Sequence, residues 1–165
     1  MGDRPAETWP DVSGRLKGKT HLLGVRVYYE DTDFSGIVYH ANYLRYAERG
    51  RSDFLRLAGV SHTELFDGEV PLAFAIHRME IDFLRPARID DLLEVRTQYR
   101  RARGARLEAC QSIWRVGGAD GPEKQPQEIW RADVFAACLD GQGRPRRLPQ
   151  EVRAALSPFV EANKG

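Results

Sequence analysis

Residues 23–58 read LGVRVYYEDTDFSGIVYHANYLRYAERGRSDFLRLA, and the hydrophobic period changes within this stretch. Apolar side chains alternate with others over residues 23–29, which predicts a half-buried β-strand. Small and apolar side chains then recur every three or four positions, which predicts a helix over residues 41–58 with one buried face. That face carries Tyr43, Ala47, Gly50, Phe54 and Ala58. The fold therefore begins with a strand, an acidic turn and a long helix.

Four further strands are predicted after the helix, because apolar side chains again alternate there. The four strands span residues 73–83, 92–101, 105–115 and 129–139. Arg103-Gly104 indicates a tight hairpin turn, whereas residues 117–127, GGADGPEKQPQ, indicate a longer polar loop. A short closing helix is expected over residues 149–155.

One long helix and five mainly antiparallel strands define an α+β domain in which the helix packs on one face of the sheet. One helix cannot cover both faces, so the open face is either solvated or covered by a second copy of the chain. Large aromatic side chains on the strands favour the second arrangement. They are Phe74, Tyr99, Trp114 and Trp130. We therefore expect a homo-oligomer.

The composition is that of a soluble globular protein: 165 residues, of which 42% are hydrophobic and 30% charged. The net charge of +1 gives no reason to expect nucleic acid or an anionic membrane as a partner. No run approaches the ~18 uncharged apolar residues of a membrane span. Cys110 and Cys138 lack the spacing of a metal site or a disulfide scaffold, which fits a reducing cytoplasm.

The domain boundaries follow from where the hydrophobic periodicity begins and ends. Residues 1–20 contain proline, glycine and scattered charges, so we expect a flexible leader without a secretion signal. Residues 21–157 are expected to form a single domain, and residues 158–165 a C-terminal tail. The expected location is the cytoplasm.

The densest polar cluster joins the first strand to the helix. Glu30, Asp31, Asp33 and His40 lie within eleven positions. A carboxylate on a loop before a helix can act as a base or a nucleophile, and free N–H groups at the helix N-terminus can hold a developing oxyanion. Gly36 would let the backbone come close to a ligand. These features suit carbonyl or thioester chemistry without a metal.

Two other interpretations of the same cluster stay open at this point. Acidic and hydroxyl residues before a helix commonly cap it, so the cluster can be purely structural. A metal site is conceivable, but one histidine with loop carboxylates matches no ligand spacing, and we expect no metal. The spacing also does not choose between Asp31 and Asp33.

Two stretches resemble a known family. Residues 27–56, and more weakly residues 78–97 (RMEIDFLRPARIDDLLEVRT), resemble the hotdog-fold acyl-CoA thioesterases of the 4-hydroxybenzoyl-CoA thioesterase class. The resemblance is closest to the branch associated with the Tol–Pal cell-envelope system and extends over about residues 22–140. It implies a hotdog fold, in which a five-stranded antiparallel sheet wraps a long helix, assembled as a dimer or a homotetramer.

The resemblance also implies the reaction and its residues. The reaction is hydrolysis of an acyl-CoA thioester to a free acid and coenzyme A, without a metal or redox cofactor. Asp33 matches the family's catalytic carboxylate, which acts as a nucleophile or as a general base. His40 matches a histidine that orients the thioester or the water. Gly36 and the backbone N–H groups around Val38, Tyr39 and His40 would position the substrate and polarise its carbonyl.

Arginines around the predicted hairpin give a local cationic tip in a chain that is otherwise neutral. A solvated hairpin is the simple interpretation. In the family that the chain resembles, a basic hairpin contacts the nucleotide of coenzyme A, for which guanidinium groups are suited. Arg100, Arg101 and Arg103 are therefore candidate coenzyme A ligands.

Two alternative functions remain. An enoyl-thioester hydratase or dehydratase of the same fold would use an aspartate and a histidine to move a proton at carbon. A non-catalytic acyl-CoA sensor or adaptor would keep the fold and the ligand pocket without turnover. Asp33 argues against the sensor, because binding alone needs no carboxylate beside a thioester.

Overall fold

The computed structural model describes residues 12–161 as one antiparallel sheet of six strands with three α-helices. The elements are β1 (Arg15–Lys17), β2 (Thr20–Arg26), a 3-10 turn (Tyr29–Asp31), α1 (His40–Leu57), α2 (His62–Phe66), β3 (Leu72–Phe83), β4 (Leu92–Arg103), β5 (Arg106–Gly118), β6 (Gly121–Asp140) and α3 (Gln150–Leu156). The α+β class is confirmed. The long helix is found within one residue of its predicted bounds, because its 3.6-residue pattern is local.

The strand order across the sheet is β1-β2-β4-β5-β6-β3. All neighbouring strands are antiparallel. Helix α1 packs on one face of the sheet, against β2, β4 and β5. β3 follows α1 and α2 in the chain and pairs only with β6, so it forms one edge of the sheet.

Gly50 lets α1 lie close to the sheet. A Cβ atom at this position would come within 2.9 Å of both Thr97 Oγ1 and Val95 Cγ1. Next to it, Gln111 Nε2 donates to Ala47 O and to Thr97 Oγ1, each at 2.8 Å. The buried amide therefore links the helix backbone to the middle of the sheet.

The sheet has six strands instead of the predicted five, because β1 lies within the predicted leader. The polar loop predicted over residues 117–127 is also wrong. β5 continues to Gly118, β6 begins at Gly121, and the ladder pairs Gly117 with Pro122. Gly121 lies at the tight turn between these strands and has φ +105°, a conformation that glycine adopts readily. β3 pairs with β6 only from Trp130 to its end. The beginning of β6 therefore has no neighbouring strand on that side, and proline is tolerated there.

The predicted leader overlaps the sheet. β1 lies inside residues 1–20, and β2 begins at residue 20. The Gly14 N–H donates to Asp53 Oδ2 at 2.7 Å, which attaches this segment to α1. Residues 1–11 of the predicted leader lie outside the described residues, as do residues 162–165 of the predicted tail. Phe159 of that tail packs against the core, 5.1 Å from the Phe54 ring.

The aromatic strand residues do not all need a second copy to cover them. Trp130 and Tyr99 are buried within the single chain, whereas Trp114 stacks with the Arg96 guanidinium at 4.4 Å on the opposite face of the sheet. Phe74 is half-buried on the edge strand β3. Among residues 12–161, no helix combines the length and the apolarity that crossing a membrane requires.

Candidate active site

A tight backbone loop presents Asp33 between the 3-10 turn and α1. The Asp33 N–H donates to Ile37 O at 2.8 Å, and the Gly36 N–H donates to Asp33 O at 3.0 Å. Thr32 and Val38 form an antiparallel bridge that closes the loop. Gly36 has φ +78°, and nothing lies within 4 Å of the position that a Cβ atom would take, so the turn itself favours glycine there.

Two sets of hydrogen bonds fix this loop to the rest of the domain. The Val38 N–H donates to Ala87 O at 2.8 Å, and Tyr43 OH accepts the Ala87 N–H at 3.0 Å. The Tyr39 N–H and Asn42 Nδ2 both donate to Asp31 O, at 2.9 and 2.8 Å. The start of α1 is therefore held at one end of the sheet.

The Asp33 carboxylate is exposed, and its pKa is lowered. Ser35 donates to Oδ1 twice, from its hydroxyl at 2.5 Å and from its N–H at 2.8 Å. The hydroxyl hydrogen bond is the largest cause of the lowered pKa, and the Ser35 and Ile37 N–H groups and the His40 charge act in the same direction. The carboxylate is therefore ionised at neutral pH.

Asp31 has a different environment from Asp33. Its Oδ2 accepts the Tyr28 N–H at 2.8 Å across the 3-10 turn. Burial is the largest cause of the raised pKa of the Tyr46 hydroxyl, and the Asp31 charge acts in the same direction. Its carbonyl oxygen also accepts two hydrogen bonds, so Asp31 holds the loop backbone in place.

His40 is the first residue of α1 and is exposed. Its ring lies against Tyr39, with the ring centroids 4.4 Å apart. The expectation that Val38 and Tyr39 supply oxyanion donors does not fit this geometry, because both N–H groups already donate within the chain. In the described part of the chain, the His40 and Ala41 N–H groups donate no hydrogen bond, as is usual in the first turn of a helix, so these two are the open donors.

The three predicted coenzyme A ligands do not lie together. Arg100 forms an ion pair with Asp133, and Arg101 forms one with Glu108, each at 3.4 Å. Arg103 instead lines a groove of about 830 Å³ between the β4–β5 hairpin and the residues around α3. The charged residues of this groove are Lys19, Arg103, Arg147, Arg153 and Glu161. Arg103 therefore belongs to a cationic groove.

The Asp33 loop and Arg103 lie at opposite ends of the sheet. The strand that leads into the loop is bonded to the segment before β4, where the Val27 N–H donates to Asp91 O at 3.0 Å. Arg103 ends β4, which has 12 residues. At about 3.3 Å per residue, that strand is roughly 40 Å long. A single chain does not bring Arg103 to Asp33.

Sequence comparison identifies the family. The model of the Thioesterase superfamily matches residues 35–121, more than half of the chain. Acyl-CoA thioesterase YbgC of Haemophilus influenzae is 39% identical over 133 residues, which cover 80% of this chain and 90% of that protein. This chain belongs to the thioesterase superfamily. Acyl-CoA thioester hydrolase YbgC of Escherichia coli is 37% identical, with 79% and 90% of the two chains covered.

Solved structures of other thioesterases share the architecture. A probable thioesterase from Bartonella henselae is 43% identical with a TM-score of 0.70, covering 79% of this chain and 99% of its own. The 4-hydroxybenzoyl CoA thioesterase from Pseudomonas sp. strain CBS-3 has a TM-score of 0.72 at 20% identity, covering 82% and 98%. The second likeness concerns the fold alone. The predicted hotdog fold is confirmed.

Two features of this candidate site were not predicted from the sequence. Ser35 stands two residues after an aspartate, a spacing typical of side-chain turns that could have indicated its contact with Asp33. The partner of the Val38 N–H is Ala87, which is distant in sequence and leaves no local signal. Within residues 12–161, no three histidine, cysteine, aspartate or glutamate side chains are arranged so that they could hold a metal ion.

Proposed function

We propose that this chain hydrolyses acyl-CoA thioesters to a free acid and coenzyme A, with Asp33 as the catalytic carboxylate. Curated acyl-CoA thioesterases at 37–39% identity support the reaction. One observation carries the residue assignment: Asp33 is an exposed, ionised carboxylate on the loop that leads into the open N-terminus of α1. Asp31 is engaged with the loop backbone instead.

Asp33 acts through Oδ2, because both Ser35 donors engage Oδ1. Oδ2 either attacks the thioester carbon to form a mixed anhydride that water cleaves, or takes a proton from a water molecule whose oxygen attacks that carbon. In both routes the carbon–sulfur bond breaks. The sulfur leaves as a thiolate and takes up a proton, so the products are the acid and the free thiol.

The N-terminus of α1 stabilises the charge that develops on the carbonyl oxygen. The open His40 and Ala41 N–H groups are the donors, and the helix dipole adds to their effect. The His40 ring, packed on Tyr39, orients the thioester or the water. This assignment needs no metal.

Coenzyme A binds through the cationic groove, with Arg103 as the predicted ligand best supported by its surroundings. Arg103 has no carboxylate within ion-pair distance among residues 12–161, whereas Arg100 and Arg101 are already paired. Lys19, Arg147 and Arg153 supply further positive charge for phosphates. Since this groove and Asp33 lie at opposite ends of one chain, the groove of one subunit serves the carboxylate of another.

The enzyme is a homo-oligomer, a dimer or a tetramer, in the cytoplasm. The edge strand β3 has 12 residues and exposes large apolar side chains, with Ile76 42% and Phe83 53% accessible. Long apolar edges of this kind pair with another strand. An antiparallel pair of β3 strands would bring the partner's β4–β5 hairpin to the Asp33 end of the chain. Cys110 and Cys138 are free thiols, which fits a reducing compartment.

The test is thiol release from short, long and aromatic acyl-CoAs, with the signal of the two protein cysteines subtracted. We expect Asp33→Asn to lower kcat/KM by about 10²-fold or more while the protein stays folded. Asp67→Asn is the matched control, because Asp67 is also an exposed carboxylate but lies at the C-terminus of α2. Binding without release in the wild type would support the sensor, and hydration of an enoyl-CoA without release would support the hydratase.

A further inference from the structure

A small cavity lies between the C-terminal half of α1 and the sheet. Its volume is about 140 Å³, close to that of apolar cavities of about 150 Å³ that bind benzene in other proteins. The wall is apolar and comes from α1 and four strands: Leu55, Phe74, Ile76, Tyr99, Leu107, Ala109, Val134 and Ala136. The polar lining residues are Glu48, Arg51, Ser52 and His62. The cavity therefore suits a segment of about six carbons that ends in a polar group.

Arg51 is held rigidly in this cavity by a buried network. Its Nη1 donates to Gln111 Oε1 at 2.7 Å, and the Gln111 amide is itself fixed on Thr97 and the α1 backbone. Tyr99 OH donates to Arg51 O at 3.1 Å. Burial lowers the pKa of the Arg51 guanidinium. A largely buried cation in a fixed position is costly unless it serves a partner.

Arg51 has unused donors in this position. A guanidinium carries five N–H groups, and the bond to Gln111 uses one of them. Within residues 12–161, no carboxylate lies within ion-pair distance of Arg51. Glu48 lines the same cavity one turn earlier and accepts the Ser52 hydroxyl at 2.6 Å. The cavity thus holds fixed donors next to a carboxylate acceptor.

The cavity lies further along the same helix that begins at the proposed active site. His40, Leu44 and Glu48 follow each other at intervals of four residues, so they lie on the same side of the helix. At 1.5 Å per residue, Glu48 is about 12 Å from His40 along the helix axis. The exposed lining residues Glu48 and His62 mark the mouth of the cavity. An acyl chain that leaves the His40 end of α1 along this side of the helix would meet the mouth of the cavity.

We propose that this cavity receives the far end of an acyl chain, and that Arg51 and Glu48 select chains that carry a terminal hydroxyl. A hydroxyl can accept from a remaining Arg51 donor and donate to Glu48 at once, whereas a methyl offers a hydrogen bond to neither group. A terminal carboxylate would meet the Glu48 charge. The inference rests on the proposed function, because it concerns the acyl half of the same substrate.

The experiment compares octanoyl-CoA, 8-hydroxyoctanoyl-CoA and the mono-CoA thioester of octanedioic acid, with hexanoyl and decanoyl pairs for length. For the wild type, we expect kcat/KM to be about tenfold higher for the best hydroxylated chain than for its unsubstituted match. Arg51→Met should bring this ratio close to one. Glu48→Gln should raise the relative rate of the carboxylate-ended substrate.

Arg45→Met is the matched control, because Arg45 is an exposed arginine on the same helix and lies outside the cavity. We expect it to keep the wild-type ratio. A wild-type ratio of one at every chain length would overturn the inference without any variant, while hydrolysis of octanoyl-CoA would leave the proposed function intact. Absence of hydrolysis of every substrate would instead overturn the proposed function.

Discussion

At the scale of single residues, Ser35 lowers the pKa of Asp33, the carboxylate that we propose the reaction uses. Its hydroxyl hydrogen bond is the largest cause of the lowered Asp33 pKa. Ser35→Ala removes a donor that stabilises the ionised form, so the Asp33 pKa rises. We expect the acidic limb of kcat/KM against pH to move to higher pH, with activity lost first on the acid side.

Thr32→Val is the control for this pH profile. Thr32 lies in the same loop, but its hydroxyl donates to Tyr29 O at 2.8 Å and does not contact Asp33. We expect its acidic limb to stay at the wild-type pH. An unchanged limb in Ser35→Ala would show that a group other than Asp33 titrates in the reaction.

Gly36 is the second residue on which the loop depends. Its φ of +78° is in the left-handed region, and nothing lies within 4 Å of the position that a Cβ atom would take. The cost of Gly36→Ala is therefore purely conformational, about 1–2 kcal/mol in the free energy of unfolding. Urea denaturation measures it. Gly141→Ala is the control, because Gly141 also has open space but no positive φ, and equal effects of the two changes would contradict the argument.

At the scale of elements, the sequence predicts what is local and misses what depends on neighbours. Helix α1 lies at residues 40–57 against a predicted 41–58, because its apolar stripe is a property of the helix alone. The extended β5–β6 hairpin was missed because residues 117–127 are polar and contain two prolines, which an edge tolerates but a pattern does not reveal. Helix α2 has only five residues, too few to show a period.

The packing of α1 on the sheet gives a prediction at the same scale. Gly50→Ala improves helix propensity by about 1 kcal/mol, but its Cβ would lie 2.9 Å from both Thr97 Oγ1 and Val95 Cγ1. Overpacking of this kind costs about 1–3 kcal/mol, so we expect net destabilisation in thermal or urea unfolding. Gly24→Ala in β2 is the control with open space. A more stable Gly50→Ala variant would show that α1 can move away from the sheet.

At the scale of the whole molecule, the sequence indicates the parts of the candidate site but not their relation. Asp33 and His40 lie in one short stretch, so a single motif can suggest both. The Val38 N–H donates to Ala87 O, 49 positions away, and a partner so distant cannot be predicted from the local sequence. The position of Arg103 follows only from the strand order, which puts it at the end of the sheet away from Asp33.

This separation leads to a test of how the proposed site is assembled. If Arg103 of one subunit serves Asp33 of another, a heterodimer of an Asp33→Asn chain with an Arg103→Gln chain has one site with both native residues and one with neither. Two different affinity tags on co-expressed chains isolate that heterodimer. We expect about half of the wild-type kcat/KM per dimer, because one of two equivalent sites is intact.

The parent proteins define the alternative outcome. Homodimers of Asp33→Asn lack the carboxylate in both sites, and homodimers of Arg103→Gln lose a charge-assisted hydrogen bond in both, which weakens coenzyme A binding by about tenfold or more. If each site used Asp33 and Arg103 of the same chain, every site of the heterodimer would carry one defect. Its activity would then be the mean of the two parents, since no site would be native. Activity above both parents therefore requires that the two residues meet across subunits.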